Sequence, residues 1–382
     1  MATLNKSEAG KFAVSGPGEA HGYDVGADGR IHGIHSTSPK EDDQTTLGLV
    51  DVQVNGFAGV DFNSDGLTAE ELDCALTAML ATGVTRCLPT IITAAPDRLR
   101  ARLVALDTAV RESRLGPWMV DGIHLEGPFL SPEDGYAGCH PTEAMRPPSL
   151  EVFDKLTANL AAPVRLITVA PELDGAIPFI EALSRRGTVV ALGHSSATHD
   201  VVKHAADAGA RMSTHLGNAI SHLLEKNNNT LFAQLGEDRL AAGFIADGAH
   251  IPPYMLQSWI RAKEPRRTVL VTDATAAAAA EPGMYTLGDL GIERGDDGVV
   301  REPGSPYLAG SSATLDGCIR NVMRWFGYDF AAAFAMARNH PLSILNLPTA
   351  PAVGDAAEFV RWSREGDEWR VIASRIGPWQ VG

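Results

Sequence analysis

The sequence alternates short apolar runs with segments of helical periodicity, and this alternation limits the possible folds more than any other feature. Eight apolar runs have the length of a buried strand, at 48–55, 87–92, 119–126, 164–170, 189–194, 211–216, 242–247 and 269–274. Strands that are apolar throughout and alternate with helices form parallel sheets covered on both faces. Eight such units favour an α/β fold of the (β/α)8 TIM-barrel type over an open sheet.

The segments between these runs carry apolar residues at the spacing of amphipathic helices. The clearest are 67–83, 96–112 and 177–187. Gly83 and Gly187 stand where two of these helices would end, and glycine is the residue preferred just past a helix terminus. We therefore predict helices over these ranges, each crossing from one parallel strand to the next.

The two chain ends have a different pattern. Residues 1–47 contain alternating apolar pieces with glycine-rich turns, and the segment near the carboxyl terminus resembles a hairpin turning at 365–367. Each end is too short to build a core of its own. We predict that 1–47 and 347–382 form one small β-sandwich domain, and that 48–346 form the barrel.

Composition excludes several classes of protein. The net charge of -15 argues against nucleic-acid binding, which needs a basic surface, although a few cations in one pocket could still bind an anionic small molecule. No apolar run approaches the roughly 18 residues of a membrane span, and the amino terminus lacks the apolar core of a signal peptide. The four cysteines are scattered without a CxxC pair, which is typical of a reduced compartment. We expect a cytoplasmic protein without nucleic-acid or membrane partners.

Polar residues stand at the ends of the apolar strands, at the edge where barrels place their active sites. Glu126, His194 and His215 end three of the predicted strands. One carboxylate and two imidazoles suit a divalent metal, with an open position for a water molecule whose pKa the metal lowers. Asp273 ends the last strand, where it could take and return the proton of that water.

Each of these residues also has a structural interpretation. A histidine at a strand end commonly makes a structural hydrogen bond, Glu126 before a Gly-Pro pair could cap a turn, and Asp273 could cap the next segment. Independent structural roles would not place several ionisable side chains at one rim, so the set favours a metal-dependent hydrolase. For His222 both interpretations stay open.

Eight strings follow one another in a single order across residues 48–346. They are LVDVQVNGFAGVDF (49–62), GIHLEGPFLSPEDGYAGCHP (122–141), TVAPE (168–172), LGHSSAT (192–198), STHLGNAI (213–220), GFIADGAHI (243–251), VLVTDA (269–274) and LAGSSATLD (308–316). This series resembles the N-acetylglucosamine-6-phosphate deacetylase family of the amidohydrolase superfamily. The resemblance implies a (β/α)8 barrel with a small β-sandwich from both chain ends, and a homodimer.

The resemblance also implies roles for individual residues. Glu126, His194 and His215 would bind the metal, Asp273 would be the general acid/base, and His140 would polarise the substrate carbonyl. The predicted substrate contacts are His250 and the backbone of Asn218 and Ala219 for the sugar and its phosphate, with Leu308 to Gly310 along the acyl group.

The sequence departs from the superfamily pattern at the first strand. Where the superfamily usually has HxH, this chain has Gln53, Val54 and Asn55. Because an amide is a poor ligand beside imidazole, we expect one divalent metal per subunit: Zn²⁺ first, with Fe²⁺, Mn²⁺ or Co²⁺ also compatible. Gln53 would then hydrogen-bond the catalytic water or the substrate.

A second departure concerns the phosphate. The family usually carries an arginine for the 6-phosphate after the THL motif, whereas 221–232 contain none, and Gly217 stands where the family tends to have an aromatic residue. Lys226 is the candidate substitute, although lysine lacks the bidentate fork of arginine and Glu225 lies beside it.

These features predict hydrolysis of N-acetylglucosamine-6-phosphate to glucosamine-6-phosphate and acetate. Two alternative substrates stay open, namely an unphosphorylated N-acetylhexosamine and another N-acyl compound or cyclic amide. A non-catalytic, metal-stabilised binding protein is a third possibility, and the presence of Asp273 argues against it.

Overall fold

The computed structural model of the protein describes residues 2–15, 20–37, 44–304 and 307–382. Its strands are β1 (Asn5–Lys6), β2 (Gly10–Ser15), β3 (Ala20–Val25), β4 (Ile31–Ser36), β5 (Gln44–Thr46), β6 (Leu49–Val54), β7 (Gly56–Phe57), β8 (Val60–Asp61), β9 (Val84–Ile92), β10 (Ile123–Glu126), β11 (Val164–Val169), β12 (Val189–Leu192), β13 (Met212–Ser213), β14 (Ala241–Ile245), β15 (Thr268–Val271), β16 (Gly283–Leu287), β17 (Leu290–Arg294), β18 (Val300–Arg301), β19 (Glu358–Glu365), β20 (Glu368–Ile376) and β21 (Trp379–Val381).

The helices are α1 (Ala69–Ala81), α2 (Pro96–Glu112), α3 (Gly116–Met119), α4 (Leu150–Thr157), α5 (Ala176–Arg185), α6 (His199–Asp207), α7 (Thr230–Gly236), α8 (Pro253–Lys263), α9 (Leu315–Phe326), α10 (Phe330–Ala337) and α11 (Asn339–Ile344), with 3-10 turns at Thr142–Ala144 and Pro265–Arg267. Thr68 caps α1 in a capping box with Glu71. No helix in the described part of the chain is long and apolar enough to cross a membrane.

The central element is a sheet of eight parallel strands that curves into a barrel. Its strand order is β15-β14-β13-β12-β11-β10-β9-β6. The barrel closes between β15 and β6, where Asp273 N donates to Gln53 O at 2.9 Å and Asn55 N donates to Ala274 O at 2.7 Å. Each of the eight predicted strand segments overlaps one of these strands, which confirms the predicted TIM-type barrel.

The barrel interior is filled by apolar side chains below the rim. Val52, Leu88 and Leu166 belong to this inner cluster, and Leu342 and Leu345 from the α11 region pack against it at the end where the strands begin. A larger apolar core lies between the strands and the surrounding helices. Because the strands are covered on both faces, the polar groups of the opposite rim stand on a rigid base.

Strands from both chain ends form the smaller β part of the molecule. β5 pairs antiparallel with β19, and β1 with β21, in a five-stranded sheet; β2, β3 and β4 form a second sheet. Phe12 stacks on Phe359 with ring centroids 4.9 Å apart, which joins the two sheets through an apolar cluster. The predicted hairpin is present, since β19 ends at Glu365 and β20 begins at Glu368. The predicted domain limits, 1–47 with 347–382 around 48–346, stay a prediction.

Candidate active site

Three side chains that the sequence predicted as metal ligands converge at the rim, at or just past the ends of β10, β12 and β13. His215 Nε2 lies 3.1 Å from Glu126 Oε1, and His194 Nε2 lies 3.3 Å from the same oxygen. The two Nε2 atoms are 3.2 Å apart, and all three side chains are buried. The barrel therefore brings one carboxylate and two imidazoles from distant parts of the sequence to one point.

The hydrogen bond at the far side of the His194 ring determines which nitrogen faces this point. His194 Nδ1 lies 2.9 Å from Tyr136 O. Because a carbonyl oxygen only accepts, Nδ1 carries the proton and Nε2 presents a lone pair toward Glu126 and His215. This is the arrangement that orients metal-binding histidines in proteins.

The turn that follows His194 is held by a carboxylate that lies just past β11. Glu172 Oε2 accepts a hydrogen bond from Ser195 Oγ at 2.6 Å, and its Oε1 accepts one from Ser196 N at 2.7 Å. Ser131 N donates to His194 O at 3.0 Å. The backbone on both sides of the imidazole is thus fixed by hydrogen bonds.

The electrostatics of the three side chains favour a cation between them. Burial alone would raise the pKa of Glu126, but the neighbouring imidazoles of His194 and His215 lower it well below its usual range. Burial alone would lower the pKa of His215, but Glu126 raises it. A site that keeps a carboxylate ionised and favours a proton on the adjacent imidazole attracts positive charge. Two imidazole nitrogens and one carboxylate oxygen therefore fit a borderline divalent metal such as Zn²⁺.

A further histidine stands at the edge of this cluster. Ligand atoms of Glu126, His140 and His194 all lie within 4.8 Å of one another, which is looser than the 3.1 to 3.3 Å of the set that contains His215. His140 Nδ1 is 2.9 Å from Thr93 Oγ1, and burial lowers the pKa of His140 to about 3, so the ring is neutral. The set with His215 is the more compact of the two, and His140 lines the cavity.

Asp273 lies beside the cluster in a net of amide donors. Its Oδ1 accepts from Asn55 Nδ2 at 2.7 Å and from Gln53 Nε2 at 3.2 Å. Gln53 Nε2 also lies 3.2 Å from Glu126 Oε1, so one amide links both carboxylates. Burial raises the pKa of Asp273 to about 6, with His215 acting to lower it and Glu126 to raise it. A carboxyl group that titrates near neutrality can both take and return a proton.

These groups form the floor of a cavity of about 970 Å³, a size suited to a small molecule. Most of the predicted substrate contacts lie on its wall: Asn218, Ala219, His250, Leu308 and Gly310. Gln53 is buried beside Asp273 and is not part of the wall. His222, for which the sequence left two interpretations open, lines the cavity and is exposed.

Lys226 lies outside the cavity lining and is exposed. Its loop is folded on itself, because Glu225 Oε2 accepts a hydrogen bond from Asn227 N at 2.7 Å and Asn229 caps α7. The polar side chains of the loop therefore bind the backbone of the loop itself. The proposed contact between Lys226 and a phosphate stays a prediction.

Comparison with known proteins identifies the family, although no family model matches the chain. N-acetylglucosamine-6-phosphate deacetylase of Homo sapiens is 35% identical over 329 residues, covering 82% of this chain and 78% of the human protein. N-acetylgalactosamine-6-phosphate deacetylase of Escherichia coli O157:H7 is 35% identical over 327 residues, covering 84% of each chain. The chain belongs to the N-acetylglucosamine-6-phosphate deacetylase family. It is thus a hydrolytic enzyme of the amidohydrolase superfamily.

A solved structure of this deacetylase family supports the assignment. N-acetyl-D-glucosamine-6-phosphate deacetylase of Mycobacterium smegmatis, a variant in complex with N-acetyl-D-glucosamine-6-phosphate, has a TM-score of 0.84 and 30% identity, and the match covers 99% of each chain. The barrel and the β part built from both chain ends therefore occur together in this family.

Sequence reasoning missed several residues that shape this deacetylase-family site. Tyr136 and Thr93 contact His194 and His140, respectively, from loops. The local sequence around Tyr136 and Thr93 does not indicate these contacts. Asp247 is recognisable in the sequence as a polar residue just past the seventh barrel strand, three residues before His250, but no role was predicted for it. Its Oδ2 lies 2.7 Å from His250 Nδ1, and its Oδ1 accepts from His250 N at 3.0 Å.

Proposed function

We propose that this enzyme removes the acetyl group from an N-acetylated hexosamine by metal-dependent hydrolysis. The observation that carries the proposal is the convergence of Glu126, His194 and His215 within 3.3 Å, with Asp273 beside them on the floor of the cavity. Family membership supports the same reaction class. The products are acetate and the free amino sugar.

Glu126, His194 and His215 would hold one divalent metal, for which we propose Zn²⁺ first and Fe²⁺, Mn²⁺ or Co²⁺ as substitutes. Bound there, the ion would supply Lewis acidity that lowers the pKa of a water molecule and polarises the substrate carbonyl. Gln53 donates to both neighbouring carboxylates, and its buried Oε1 has no partner among the described residues. That oxygen is suited to accept a hydrogen bond from the attacking water.

Asp273 would act as the general base and then as the general acid. It takes one proton from the water that attacks the amide carbon, and it returns that proton to the nitrogen as the carbon–nitrogen bond breaks. Asn55 and Gln53 hold the carboxylate in place during both transfers. No other reactant is needed, since the water supplies both the hydroxyl of acetic acid, which ionises to acetate, and the proton of the amine.

His140 would stabilise the negative charge that develops on the carbonyl oxygen. The ring is neutral, so one of its nitrogens donates and the other accepts. When Thr93 Oγ1 donates its one proton to Nδ1 across their 2.9 Å contact, and not to Glu126 O at 3.3 Å, Nε2 of His140 carries the ring proton and would face the substrate. The sugar would lie along Asn218, Ala219 and His250, and the acyl group along Leu308 to Gly310.

The relatives suggest the class of sugar. The human and Escherichia coli proteins, at equal identity, are named for the 6-phosphates of N-acetylglucosamine and N-acetylgalactosamine. N-acetylglucosamine-6-phosphate, the substrate predicted from the sequence, is thus one member of the proposed class of N-acetylhexosamines. Its C4 epimer and the unphosphorylated sugars are the others.

We further propose a cytoplasmic homodimer. Leu223 and Phe232 are 89% and 64% exposed, and both are adjacent in sequence to residues that line the cavity, Leu224 and Leu231. Large apolar side chains exposed near a cavity mouth are typical of a surface that a second subunit covers. The four cysteines are all free, which agrees with a reducing compartment.

The test is acetate release by the purified, metal-loaded enzyme and by Asp273→Asn. We expect the variant to lose roughly 10² to 10⁴-fold in kcat, because the amide cannot accept the proton. Asp297→Asn, at an exposed ion pair with Arg301, is the matched control and should retain wild-type turnover. Chelation should abolish activity, and Zn²⁺ or another divalent ion should restore it. The prediction fails if Asp273→Asn stays within about tenfold of wild type.

A further inference from the structure

The barrel has a seam between its first and last strands. Across the described residues, β6 and β15 are joined by an isolated parallel bridge, Val54 with Ala274, and not by a strand ladder. Asp51, three residues before this bridge, adds a side-chain link. Its Oδ2 accepts a hydrogen bond from Thr272 Oγ1 at 2.6 Å, and its Oδ1 accepts one from Thr272 N at 3.3 Å. A carboxylate of β6 therefore holds the residue that follows β15.

The hydroxyl group of Thr272 extends this link past Asp273. It has one proton, and its 2.6 Å contact with Asp51 is shorter than its 3.3 Å contact with Gln53 O. Its oxygen accepts a hydrogen bond from Ala274 N at 3.1 Å. The residues on both sides of Asp273 are thus linked to one buried carboxylate.

A second segment holds the same turn from the side away from β6. Ser311 Oγ donates to Thr272 O at 2.6 Å, and Ser311 N donates to Asp273 O at 2.8 Å. Gly310 permits this close approach, because a Cβ built there would lie 2.9 Å from Asp273 O. Asp51, Thr272 and Ser311 are all buried and are named here the Asp51 network.

Asp273 needs this support because of its backbone conformation. Its φ is 49°, a left-handed value that a residue other than glycine keeps only where its surroundings hold it. Its N donates to Gln53 O at 2.9 Å, so both of its backbone polar groups are paired, one toward each neighbouring segment. The direction in which the carboxylate leaves the strand is therefore set by the Asp51 network and these two bonds.

We propose that Asp51 is a positioning residue for Asp273 and acts through Thr272. The inference rests on the role proposed for Asp273 in deacetylation. Proton transfer requires the carboxylate to lie within hydrogen-bond reach of the attacking water, so a small tilt of the turn slows the reaction strongly. Asp51 and Thr272 are buried and lie outside the cavity lining. Their effect on turnover therefore passes through Asp273 and not through contact with the sugar.

The first experiment removes the link at Thr272. Thr272→Val keeps the shape of the side chain but leaves Asp51 Oδ2 without its donor. We expect kcat to fall roughly 10 to 100-fold while KM stays within about threefold of wild type, because the base is misplaced and the sugar contacts are intact. Thr272→Ser keeps the hydroxyl group and should recover most of the lost turnover.

Thr77→Val is the matched control for this experiment. Thr77 is buried, and its hydroxyl group donates to Asp73 O at 2.6 Å within α1. Loss of that hydroxyl group should leave kcat and KM at their wild-type values. The readout is acetate release by the metal-loaded enzyme from N-acetylglucosamine-6-phosphate, or from its C4 epimer where the wild type prefers it.

The second experiment tests whether the effect passes through Asp273. Asp51→Asn replaces Oδ2 with an amide nitrogen that does not accept the Thr272 proton, and it should lower kcat by roughly tenfold. In the background of Asp273→Asn, the same substitution should change the residual kcat by less than about threefold, because no base is left to misplace.

Metal affinity is the third measurement. Chelator competition on Asp51→Asn and Thr272→Val should give values within about threefold of wild type, because the three metal-binding side chains stand at the ends of other strands, β10, β12 and β13. A merely structural role would loosen the whole rim and lower metal affinity together with kcat.

The outcomes separate this inference from the proposed function. Wild-type kcat in Thr272→Val or Asp51→Asn, an equal loss from Asp51→Asn with and without Asp273, or a parallel loss of metal affinity would each overturn the inference. Retained turnover in Asp273→Asn would instead overturn the role proposed for Asp273, and no variant of the Asp51 network is needed to see it. Thr272→Val and Asp51→Asn are judged separately, so the inference is tested even if one of them does not fold.

Discussion

Three residues of the active site have a backbone conformation that side chains rarely adopt. His194, His215 and Asp273 follow barrel strands with φ of 52°, 26° and 49°. A non-glycine residue in the left-handed region costs about 1–2 kcal/mol, so it persists only where the surroundings hold it. Here the unusual φ ends the strand and turns the side chain toward the shared centre. For His194, Glu172 supplies that support through the next two residues.

Removal of this support should weaken metal binding. We expect Glu172→Ala to lower metal affinity about 10 to 100-fold, because the Ser195–Ser196 turn loses both acceptors and His194 loses its fixed position. Glu172→Gln keeps one oxygen for Ser196 N and should have a smaller effect. The measurement is a chelator competition titration of the folded protein, with circular dichroism as the folding control. If the metal affinity of Glu172→Ala stays within about threefold of wild type, Glu172 has no role in positioning His194.

At the scale of elements, an inserted hairpin shapes the cavity. β16 and β17 follow the last barrel strand, and Leu287 at the end of β16 lines the cavity and is 2% exposed. The hairpin tip is anchored where Arg102 Nη2 binds Asp289 Oδ1 at 2.9 Å and Gly288 N donates to Asp61 Oδ2 at 2.7 Å. The side chain of Arg102 is 1% exposed, so α2 holds the hairpin through a buried guanidinium that binds a half-exposed carboxylate.

Loss of this anchor should change substrate selection more than substrate turnover. We expect Arg102→Met to raise KM for an N-acetylated sugar by roughly tenfold and to improve the relative turnover of its N-propionyl analogue, because Leu287 would no longer be held against the cavity. Arg98→Met is the matched control. Arg98 binds the same aspartates but is 46% exposed, so its loss should matter little. If Arg98→Met changes KM and the relative turnover as much as Arg102→Met does, the burial of Arg102 is not what anchors the hairpin.

At the scale of the whole molecule, a buried ion pair fastens the terminal β part to the barrel. Arg338 Nη2 lies 2.5 Å from Glu358 Oε1 at the start of β19. Thr85 Oγ1, at the start of β9, donates to Glu358 Oε2 at 2.6 Å, and Arg338 also donates to Gly48 O before β6. These contacts lie where the barrel strands begin, at the opposite end from the active site. The ion pair that stabilises the fold and the residues of the active site therefore lie at opposite ends of the barrel.

Glu358→Gln should destabilise the fold by about 3 kcal/mol, because it leaves Arg338 buried without a partner charge. Glu365→Gln, at an exposed pair with Arg370, is the control and should change stability by less than about 1 kcal/mol.

Burial would raise the pKa of Glu358, but Arg338 lowers it below the ordinary value of 4.5. The unfolded chain then binds the proton more readily, so wild-type stability should fall as pH decreases below that value. Urea unfolding measures the free energy of unfolding for both predictions. If that free energy depends on pH equally in the wild type and in Glu358→Gln, Glu358 is not the group responsible.

The barrel and the approximate site could be predicted from the sequence, because both depend on patterns that are local in the chain. Apolar runs and helical periodicity located the eight strands, since burial on both faces of a parallel strand requires apolar residues throughout. Glu126, His194 and His215 could be grouped from their places at strand ends, because the carboxyl ends of parallel strands meet at one rim.

Contacts between loops could be decided only by the tertiary structure. Tyr136 and Thr93 reach the histidines from loops, Trp259 of α8 fills the space beside Gly217, and Lys226 lies outside the cavity lining. The spacing of apolar residues that marks a strand or a helix repeats within a few residues, so a short segment of sequence is enough to recognise it. The path of a loop and the packing of side chains across it depend on the whole surrounding core, and no local pattern encodes them.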